Sequence, residues 1–294
     1  MLKEYNKCDL CQRECGVNRN GGELGFCRSS STMKICRAAL HMWEEPIISG
    51  TNGSGTVFFS GCSLGCIFCQ NKDISRAAVG KPVDEPTLAE IMLDLASQGA
   101  HNINFVTPTH FAPGIVKSVA LARKMGLDIP IVYNTGTYDR VETVKVLDGT
   151  VDIYLPDYKY YRSETAKQYS NAPQYPTAAL ETIREMVRQR PTPILTDGLM
   201  KSGVVIRILL LPGHLAEAKL SLKRLYTEFG DSVYFSLMGQ YTPMQGMPAP
   251  LNRTVTRSEY GEFICYADTL GITQAFVQDL SSAGENYIPD FEVE

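Results

Sequence analysis

Apolar residues recur along this chain with two different periods. Short runs rich in β-branched and aromatic residues predict strands, and stretches with apolar residues three or four positions apart predict amphipathic helices. The predicted strands cover residues 56–59, 103–106, 130–133, 151–155, 204–211 and 233–237, and residues 275–277 form a short strand or an extension. The predicted helices cover residues 86–100, 111–124, 141–147, 178–188, 215–229 and 258–270. Strands and helices therefore alternate along most of the chain.

This alternation predicts an α/β fold with right-handed βαβ units and a parallel sheet. Six strand and helix units are too few for a closed barrel of eight strands, so we expect a partial (β/α)6 barrel. We assign residues 51–294 to this barrel and its C-terminal tail, and residues 1–50 to an N-terminal cysteine-rich extension. The tail, residues 276–291, is expected to dock against the barrel, with coverage of its open bottom or side as the alternative.

Composition excludes several partners. The 294 residues carry a net charge of -4 with a pI of about 5.7, so no basic surface for nucleic acid is predicted. The N-terminus lacks an apolar run, and residues 204–211 include Arg207 and are too few to cross a bilayer. We therefore expect a cytoplasmic protein with neither a nucleic acid nor a membrane as partner. Nine cysteines in such a chain favour metal ligands over disulfides.

A cysteine triplet follows the first predicted strand. Cys62, Cys66 and Cys69 have the spacing C-x-x-x-C-x-x-C, and Phe68 precedes the last of them. Structural zinc sites usually take four ligands in two separated pairs. Three thiolates on a [4Fe-4S] cluster instead leave one iron without a protein ligand. The spacing favours the cluster, and a zinc loop or an inert cysteine loop stays as the alternative.

The spacing, the aromatic residue before the third cysteine and the preceding strand resemble the cluster loop of the radical S-adenosylmethionine superfamily. Further matches along the chain resemble the homologues of pyruvate formate-lyase activating enzyme. The resemblance implies a partial barrel in which S-adenosylmethionine chelates the free iron. It also implies reductive cleavage to a 5'-deoxyadenosyl radical, with an electron donor such as flavodoxin or ferredoxin. The radical would take a hydrogen atom from a glycyl radical enzyme, a peptide or a small molecule.

Four further cysteines lie in the N-terminal extension, in the order Cys8, Cys11, Cys15 and Cys27. Four thiolates suit one closed metal site, and the glycines between them allow the loop to turn back on a metal. A second [4Fe-4S] cluster, a structural zinc ion and free thiols are the alternatives. The resembling family has a similar N-terminal stretch, which leaves the metal open.

Polar residues follow the predicted strands, at the edge where α/β proteins build their sites. Asp157 and Lys159 resemble the D-x-K motif of the glycyl-radical activating enzymes, and Arg207 begins a segment that resembles their R-x-x-x-x-P-G motif. We propose His110 as a third catalytic candidate beside Lys159 and Arg207, with a capping or core role as its alternative. The candidate cofactor-binding residues are Phe68, Thr107, Thr109, Asn134, Gly136, Asp157, Lys159, Arg207, Met238 and Gln240.

One turn departs from the family pattern. Thr107-Pro108-Thr109 replaces the Gly-Gly-Glu turn that receives the methionine amino group in the family, so no carboxylate is available there. Hydroxyl and carbonyl oxygens can still accept a hydrogen bond from an ammonium group.

Elsewhere, Glu44 and Glu45 are expected in a solvated turn over a packed Trp43, with binding near the cluster as the alternative. A function of another class also stays open, a non-catalytic iron-sulfur or zinc protein for electron transfer or scaffolding.

Overall fold

The computed structural model describes residues 5–76, 79–278 and 291. Its strands are β1 Met33–His41, β2 Ser54–Phe59, β3 Lys81–Val83, β4 Ile103–Val106, β5 Ile131–Thr135, β6 Ile153–Pro156, β7 Ile194–Thr196, β8 Leu199–Leu209, β9 Tyr234–Met238 and β10 Ala275–Val277. Its helices are α1 Pro46–Ser49, α2 Lys72–Ser75, α3 Glu85–Ser97, α4 Ala112–Lys124, α5 Val141–Lys145, α6 Ser163–Ser170, α7 Tyr175–Gln189, α8 Leu215–Phe229 and α9 Arg257–Leu270.

The strands form one sheet in the order β10-β9-β8-β6-β5-β4-β2-β1-β3, and β7 pairs with β8. All neighbours from β2 to β10 along this path run parallel. Within the described residues β2 and β10 do not pair, so the sheet stays open. The predicted α/β partial barrel is therefore confirmed, with its six strands in sequence order and β10 added at the edge.

Local sequence sets the helix boundaries. The side chain of Asp84 accepts a hydrogen bond from the Thr87 amide at the start of α3, and Pro86 occupies its first turn, where a missing N–H is tolerated. Thr256 and Glu259 form a capping box at the start of α9. These caps explain why the predicted and observed helix starts agree closely.

The antiparallel edge of the sheet was not predicted. β1 pairs with β2, and β3 pairs with β1, both antiparallel. Only Met33 and Ile35 of β1 are fully buried, so no apolar run marks this strand in the sequence. Residues 33–41, which we had assigned to the extension, thus pair with the first barrel strand.

The two faces of the parallel strands have different environments. One set of alternating residues packs against the surrounding helices, as Phe105, Tyr133 and Tyr154 do in the larger core. The other set points into the barrel. At the N-terminal ends of the strands, Ile47 and Ile48 of α1 pack into a second core, and the Asn102 side chain donates to the Ile48 carbonyl oxygen at 2.8 Å. The short helix α1 therefore closes the bottom of the barrel.

The C-terminal tail is described only in part. The residues from 279 to 290 lie outside the described residues, so the predicted docking of the tail is not decided there. Phe291 is described, and its ring lies edge-on to that of Phe58 with the centroids 5.3 Å apart. Among the described residues, the helices include none that is both long and apolar enough to cross a bilayer.

Candidate active site

A cavity of about 470 Å³ lies inside the barrel and extends to the loops after the parallel strands. This volume is in the range of small-molecule sites. Its walls include the cysteine triplet, the ends of β4, β5, β6, β8 and β9, and the residues after β10. Its floor includes the segment that leads into α1. Residues far apart in sequence thus share one enclosure.

All three cysteines of the triplet line this cavity. The Leu64 amide donates to the Cys62 sulfur at 3.3 Å, and the Ser75 hydroxyl donates to the Cys69 sulfur at 3.6 Å. The loop also needs two glycines with positive φ, +86° at Gly61 and +76° at Gly65. A Cβ at Gly61 would lie 2.4 Å from a backbone oxygen of the N-terminal extension. The loop conformation is therefore specific to glycine at this position.

Burial raises the pKa of two of these thiols, those of Cys66 and Cys69. It raises the pKa of Cys66, although the neighbouring Lys159 ammonium opposes the rise. Burial also raises the pKa of Cys69 to about 12, and the other two cysteines add to it. Iron binding removes the thiol protons and disperses the charge, so this donor set suits a cluster. Among the described residues, no group of three or more His, Cys, Asp or Glu side chains is gathered as for a single metal ion.

Phe68 fixes the third cysteine of the loop from the other side. Its ring is buried and packs edge-on against Tyr160, Tyr169 and Tyr241, with centroids 6.2 to 6.4 Å apart. Aromatic contacts of this geometry hold a loop more firmly than their buried area alone. The tyrosine-rich stretch after β6 therefore supports the cluster loop.

A charged network lies beside the cysteines. Arg207 on β8 donates to Asp157 at 2.8 Å and to Glu44 at 3.3 Å, and its remaining amine donates to Asn134 at 2.5 Å. Lys159 donates to the second oxygen of Asp157 at 2.7 Å. The planar fork of arginine explains how a single side chain joins three elements. Arg207 thus connects β5, the loop after β6 and the segment before α1.

Burial and the contacts within this network shift the pKa values of its two carboxyl groups. Burial alone would raise the pKa of Asp157, but Arg207 and Lys159 lower it below its usual value. For Glu44 burial dominates and raises the pKa, with Arg207 and Asn104 opposing. Asp157 is therefore ionised at neutral pH and pairs with both cations.

The expected solvated turn at Glu44 and Glu45 is wrong. Both carboxylates line the cavity, and Glu45 is only 8% exposed. Trp43, expected to pack beneath the turn, is 59% exposed. The reason is the helix that follows. Because Ile47 and Ile48 are buried in the barrel floor, the residues just before them are drawn inside. The apolar pair that directly follows the two glutamates is the sequence feature that could have indicated their burial.

The ten residues predicted to bind the cofactor all line the cavity. They come from the cluster loop and from five different parallel strands or the loops that follow them, so their assembly follows from the parallel sheet. Their individual roles stay predictions.

His110 is not among the residues that line the cavity. Its ring is buried, with Nε2 2.7 Å from the carbonyl oxygen of Ser60, the residue before the cluster loop. Burial and the nearby Arg19 lower its pKa to about 3, so the ring is neutral at physiological pH. This geometry favours the alternative of a core histidine, whose ring contacts the residue before the cluster loop.

The turn that departs from the family pattern has a left-handed residue. Thr107 has φ of +58°, a conformation that glycine adopts at no steric cost and threonine does not. Its amide donates to the Asn134 carbonyl oxygen at 2.9 Å, and the Asn134 side chain donates to Glu44 at 3.3 Å. The turn lacks a carboxyl group of its own, but the Glu44 carboxyl group lies beside Asn134 on the adjacent strand β5.

The N-terminal cysteines form a separate cluster of thiols. Cys8, Cys11 and Cys27 are buried and Cys15 is partly exposed. Burial raises the pKa of Cys11, and the other three thiols lie near enough to raise it further. The Phe26 amide donates to the Cys15 sulfur at 3.2 Å, a bond of the kind made to metal-bound thiolates. Four thiols are the ligand set of a structural zinc ion or a [4Fe-4S] cluster, but within the described part of the chain these sulfurs are not gathered around one metal position.

This extension packs directly on the cluster loop. Arg13 donates to the carbonyl oxygens of Ser63 at 2.9 Å and Leu64 at 2.8 Å. Arg19, which is fully buried, donates to the His110 carbonyl oxygen at 2.5 Å. The extension and the cysteine triplet are therefore one structural unit.

A partial α/β barrel with three cysteines on the loop after its first parallel strand defines an iron-sulfur enzyme with its site at the strand ends. The family model of the Radical SAM superfamily matches residues 56–221, which include this loop and most of the barrel. The chain belongs to the radical SAM superfamily and is a radical SAM enzyme.

Relatives of known sequence or structure agree with this assignment. The chain is 30% identical over 247 residues to the uncharacterized protein MJ0674 of Methanocaldococcus jannaschii, over 81% of this chain and 67% of that protein. Its fold is similar to a radical SAM methyltransferase from Sphaerobacter thermophilus, with a TM-score of 0.54, 16% identity and coverage of 78% of this chain and 69% of that one.

Two other solved structures share the fold over about half of their own length. Streptococcus suis SuiB bound to S-adenosylmethionine matches with a TM-score of 0.51 and 12% identity, over 76% of this chain and 49% of that one. HydG, a maturase of the [FeFe]-hydrogenase, matches with a TM-score of 0.52 and 12% identity, over 76% and 50% of the two chains. At these identities the likeness shows the fold alone.

Proposed function

We propose that Cys62, Cys66 and Cys69 hold a [4Fe-4S] cluster at which S-adenosylmethionine is reductively cleaved, and that the substrate is a small molecule or a peptide segment. One observation carries this proposal: the three thiols and the charged network line the same cavity. Its volume of about 470 Å³ supports a substrate of limited size beside the cofactor. SuiB has been solved with S-adenosylmethionine and with the precursor peptide SuiA, which supports the peptide option on this fold.

When bound, the cluster and S-adenosylmethionine supply one-electron cleavage of a carbon–sulfur bond and a 5'-deoxyadenosyl radical that takes a hydrogen atom from the substrate. The chain itself binds, orients and excludes water. Lys159 acts as a point charge and Arg207 as a fork toward the methionine carboxylate or the substrate. The Thr107 and Thr109 oxygens accept from the methionine ammonium.

Remaining lining residues complete the proposed cofactor site. Asn134 and Gly136 approach it from the end of β5, while Met238 and Gln240 follow β9. The proposed electron donor is a flavodoxin or a ferredoxin. The proposed compartment is the cytoplasm, because the chain is rich in cysteine and thiols stay reduced there.

The first test is the reaction of the reconstituted full chain. We expect iron and sulfide at about four atoms each for every [4Fe-4S] cluster, and 5'-deoxyadenosine and methionine after addition of S-adenosylmethionine and dithionite. Liquid chromatography with mass detection measures both products. A protein that holds the cluster but yields neither product would be the non-catalytic electron-transfer or scaffold alternative.

A glycyl radical activase is the second candidate. The Asp157–Lys159 ion pair beside the cysteines supports it, because the D-x-K motif resembles that of these activating enzymes. In this case the substrate is a backbone glycine of a partner protein. Electron paramagnetic resonance of a candidate partner after anaerobic incubation distinguishes the two, since only the activase leaves a glycyl radical on the partner.

We further propose that Cys8, Cys11, Cys15 and Cys27 hold a second metal centre, either a [4Fe-4S] cluster or zinc. A Cys11→Ser variant should lose this centre and keep the first one, because the two ligand sets are separate. Metal and sulfide analysis beside the wild-type chain measures the loss, and zinc or iron in the difference identifies the metal. Equal metal content in the two proteins would show that these thiols bind none.

A further inference from the structure

The floor of the cavity contains a carboxylate that is not fully paired. Glu45 lines the cavity and is 8% exposed. Ser236 bonds to its carboxylate, but the Oε2 atom is buried and has no hydrogen-bond partner. Buried acceptors without a partner are rare in native proteins, and each requires an explanation.

A second acceptor of the cavity lining also lacks a hydrogen-bond partner. Gln278 lines the cavity, and its Oε1 atom is buried without a partner. It directly follows Val277, which pairs with Leu237, so it lies beside the strand that carries Ser236. Asn104 is not among the lining residues, and its amide nitrogen donates to Glu44 at 2.9 Å, which helps to hold that carboxyl group in place. Two oxygens of the cavity lining, Glu45 Oε2 and Gln278 Oε1, thus need a donor.

The charged groups of the cavity also favour an occupant that donates hydrogen bonds. Its lining contains the carboxyl groups of Glu44, Glu45 and Asp157 and the cations Lys159 and Arg207, so the carboxyl groups outnumber the cations by one. Asp157 pairs with both cations, and Glu44 pairs with Arg207. Burial raises the pKa of Glu45, and Arg207 only partly opposes this. A buried carboxylate is stabilised best by a positive group that also donates hydrogen bonds.

We propose that Glu45, with Glu44 and Gln278 in the same cavity lining, recognises a protonated amine or guanidinium group of the substrate. The proposal rests on the proposed function, because it assigns the substrate of that same cavity. The substrate is then a cationic small molecule or the basic side chain of a peptide. Helix α1 lies behind Glu45 and closes the floor, so the cationic group would be the innermost part of the substrate.

The test uses the reconstituted full chain with S-adenosylmethionine bound and three probes of matched length. Isothermal titration calorimetry compares 1,5-diaminopentane with 1,5-pentanediol and glutarate. We expect the diamine to bind at least about tenfold more tightly than the diol, because a hydrogen bond to a charged group adds this much affinity. Glutarate should not bind. Equal affinity for diamine and diol would overturn the proposal without any variant.

A Glu45→Gln variant keeps the size of the side chain and removes its charge. It should weaken diamine binding by about 10- to 100-fold and bring it close to that of the diol. The matched control is Glu90→Gln on the exposed face of α3, which should bind the diamine as the wild type does. Iron content and circular dichroism verify that both variants are folded. Unchanged diamine affinity in a folded Glu45→Gln protein contradicts the proposal.

Two further arms assign the source of the cation. In the first, the capped peptide acetyl-Gly-Lys-Gly-amide replaces the diamine. Tighter binding of the peptide indicates a basic peptide as substrate, and tighter binding of the diamine indicates a small amine. The titration is also repeated without S-adenosylmethionine. Diamine binding that occurs only in its absence would mean that these carboxylates serve the cofactor's own ammonium, and the proposal would be wrong. A wild-type chain that binds the diamine but never forms 5'-deoxyadenosine refutes the proposed function alone.

Discussion

Replacement of Cys66 by alanine is expected to reduce 5'-deoxyadenosine formation to the level of the assay blank. The thiol is one of three that line the cavity, and a cluster left with two protein ligands has no defined position for a chelating cofactor. Iron and sulfide content should fall together with activity. Anaerobic reconstitution followed by product analysis under dithionite measures both.

The matched control for this experiment is Cys265→Ala. Cys265 lies on α9 and is exposed, so its removal changes the cysteine count but not the cavity. This variant should retain the iron content and the activity of the wild type. A Cys66→Ala protein that still forms 5'-deoxyadenosine would show that the triplet is not the cluster site.

Replacement of Arg207 by methionine is expected to lower both stability and cofactor or substrate binding. The Arg207 side chain is only 13% exposed and pairs with Asp157 and Glu44, so its removal leaves two largely buried carboxyl groups without their cation. Breaking a buried pair in this way lowers the free energy of unfolding by about 3–5 kcal/mol. Denaturant unfolding of the full chain measures the loss. S-adenosylmethionine affinity should fall by at least about tenfold if Arg207 contacts its carboxylate.

Two variants make this result specific. Arg184→Met removes a partner of Glu228 from an ion pair on the surface, in which Arg184 is 52% exposed, and should cost less than about 1 kcal/mol. Arg207→Lys keeps the charge but loses the fork, so an intermediate loss is expected. If Arg207→Met and Arg184→Met unfold at the same denaturant concentration, the buried network does not stabilise the fold.

The sequence predicted those parts of the site that depend on short-range pattern. Strand and helix periods located the six parallel strands, and the residues that follow parallel strands meet at one edge. This is why Asp157, Arg207 and Asn134 were predicted at one site although they are far apart in the chain. Antiparallel β1 was missed because most of its side chains are partly or fully exposed, so no apolar run marks it in the sequence.

The position of His110 is a feature that the sequence pattern did not predict. It follows β4 as Thr107 and Thr109 do, and its proximity to them in sequence predicted a place in the cavity. One turn of 3-10 helix over Thr109–Phe111 instead directs its ring to Ser60. A change of side-chain direction within one turn depends on backbone angles that residue types alone do not determine.

By itself, the sequence determined the cysteine triplet, the strand that carries it and the order of the βαβ units, since each follows from local spacing or from the handedness of the connections. Only the tertiary structure decided that Glu44 and Glu45 form the floor of the cavity. Their burial results from the insertion of Ile47 and Ile48 between strands that are distant in sequence. Contacts of this long range have no periodic signature, so the place of these two carboxyl groups in the cavity became visible only in the folded chain.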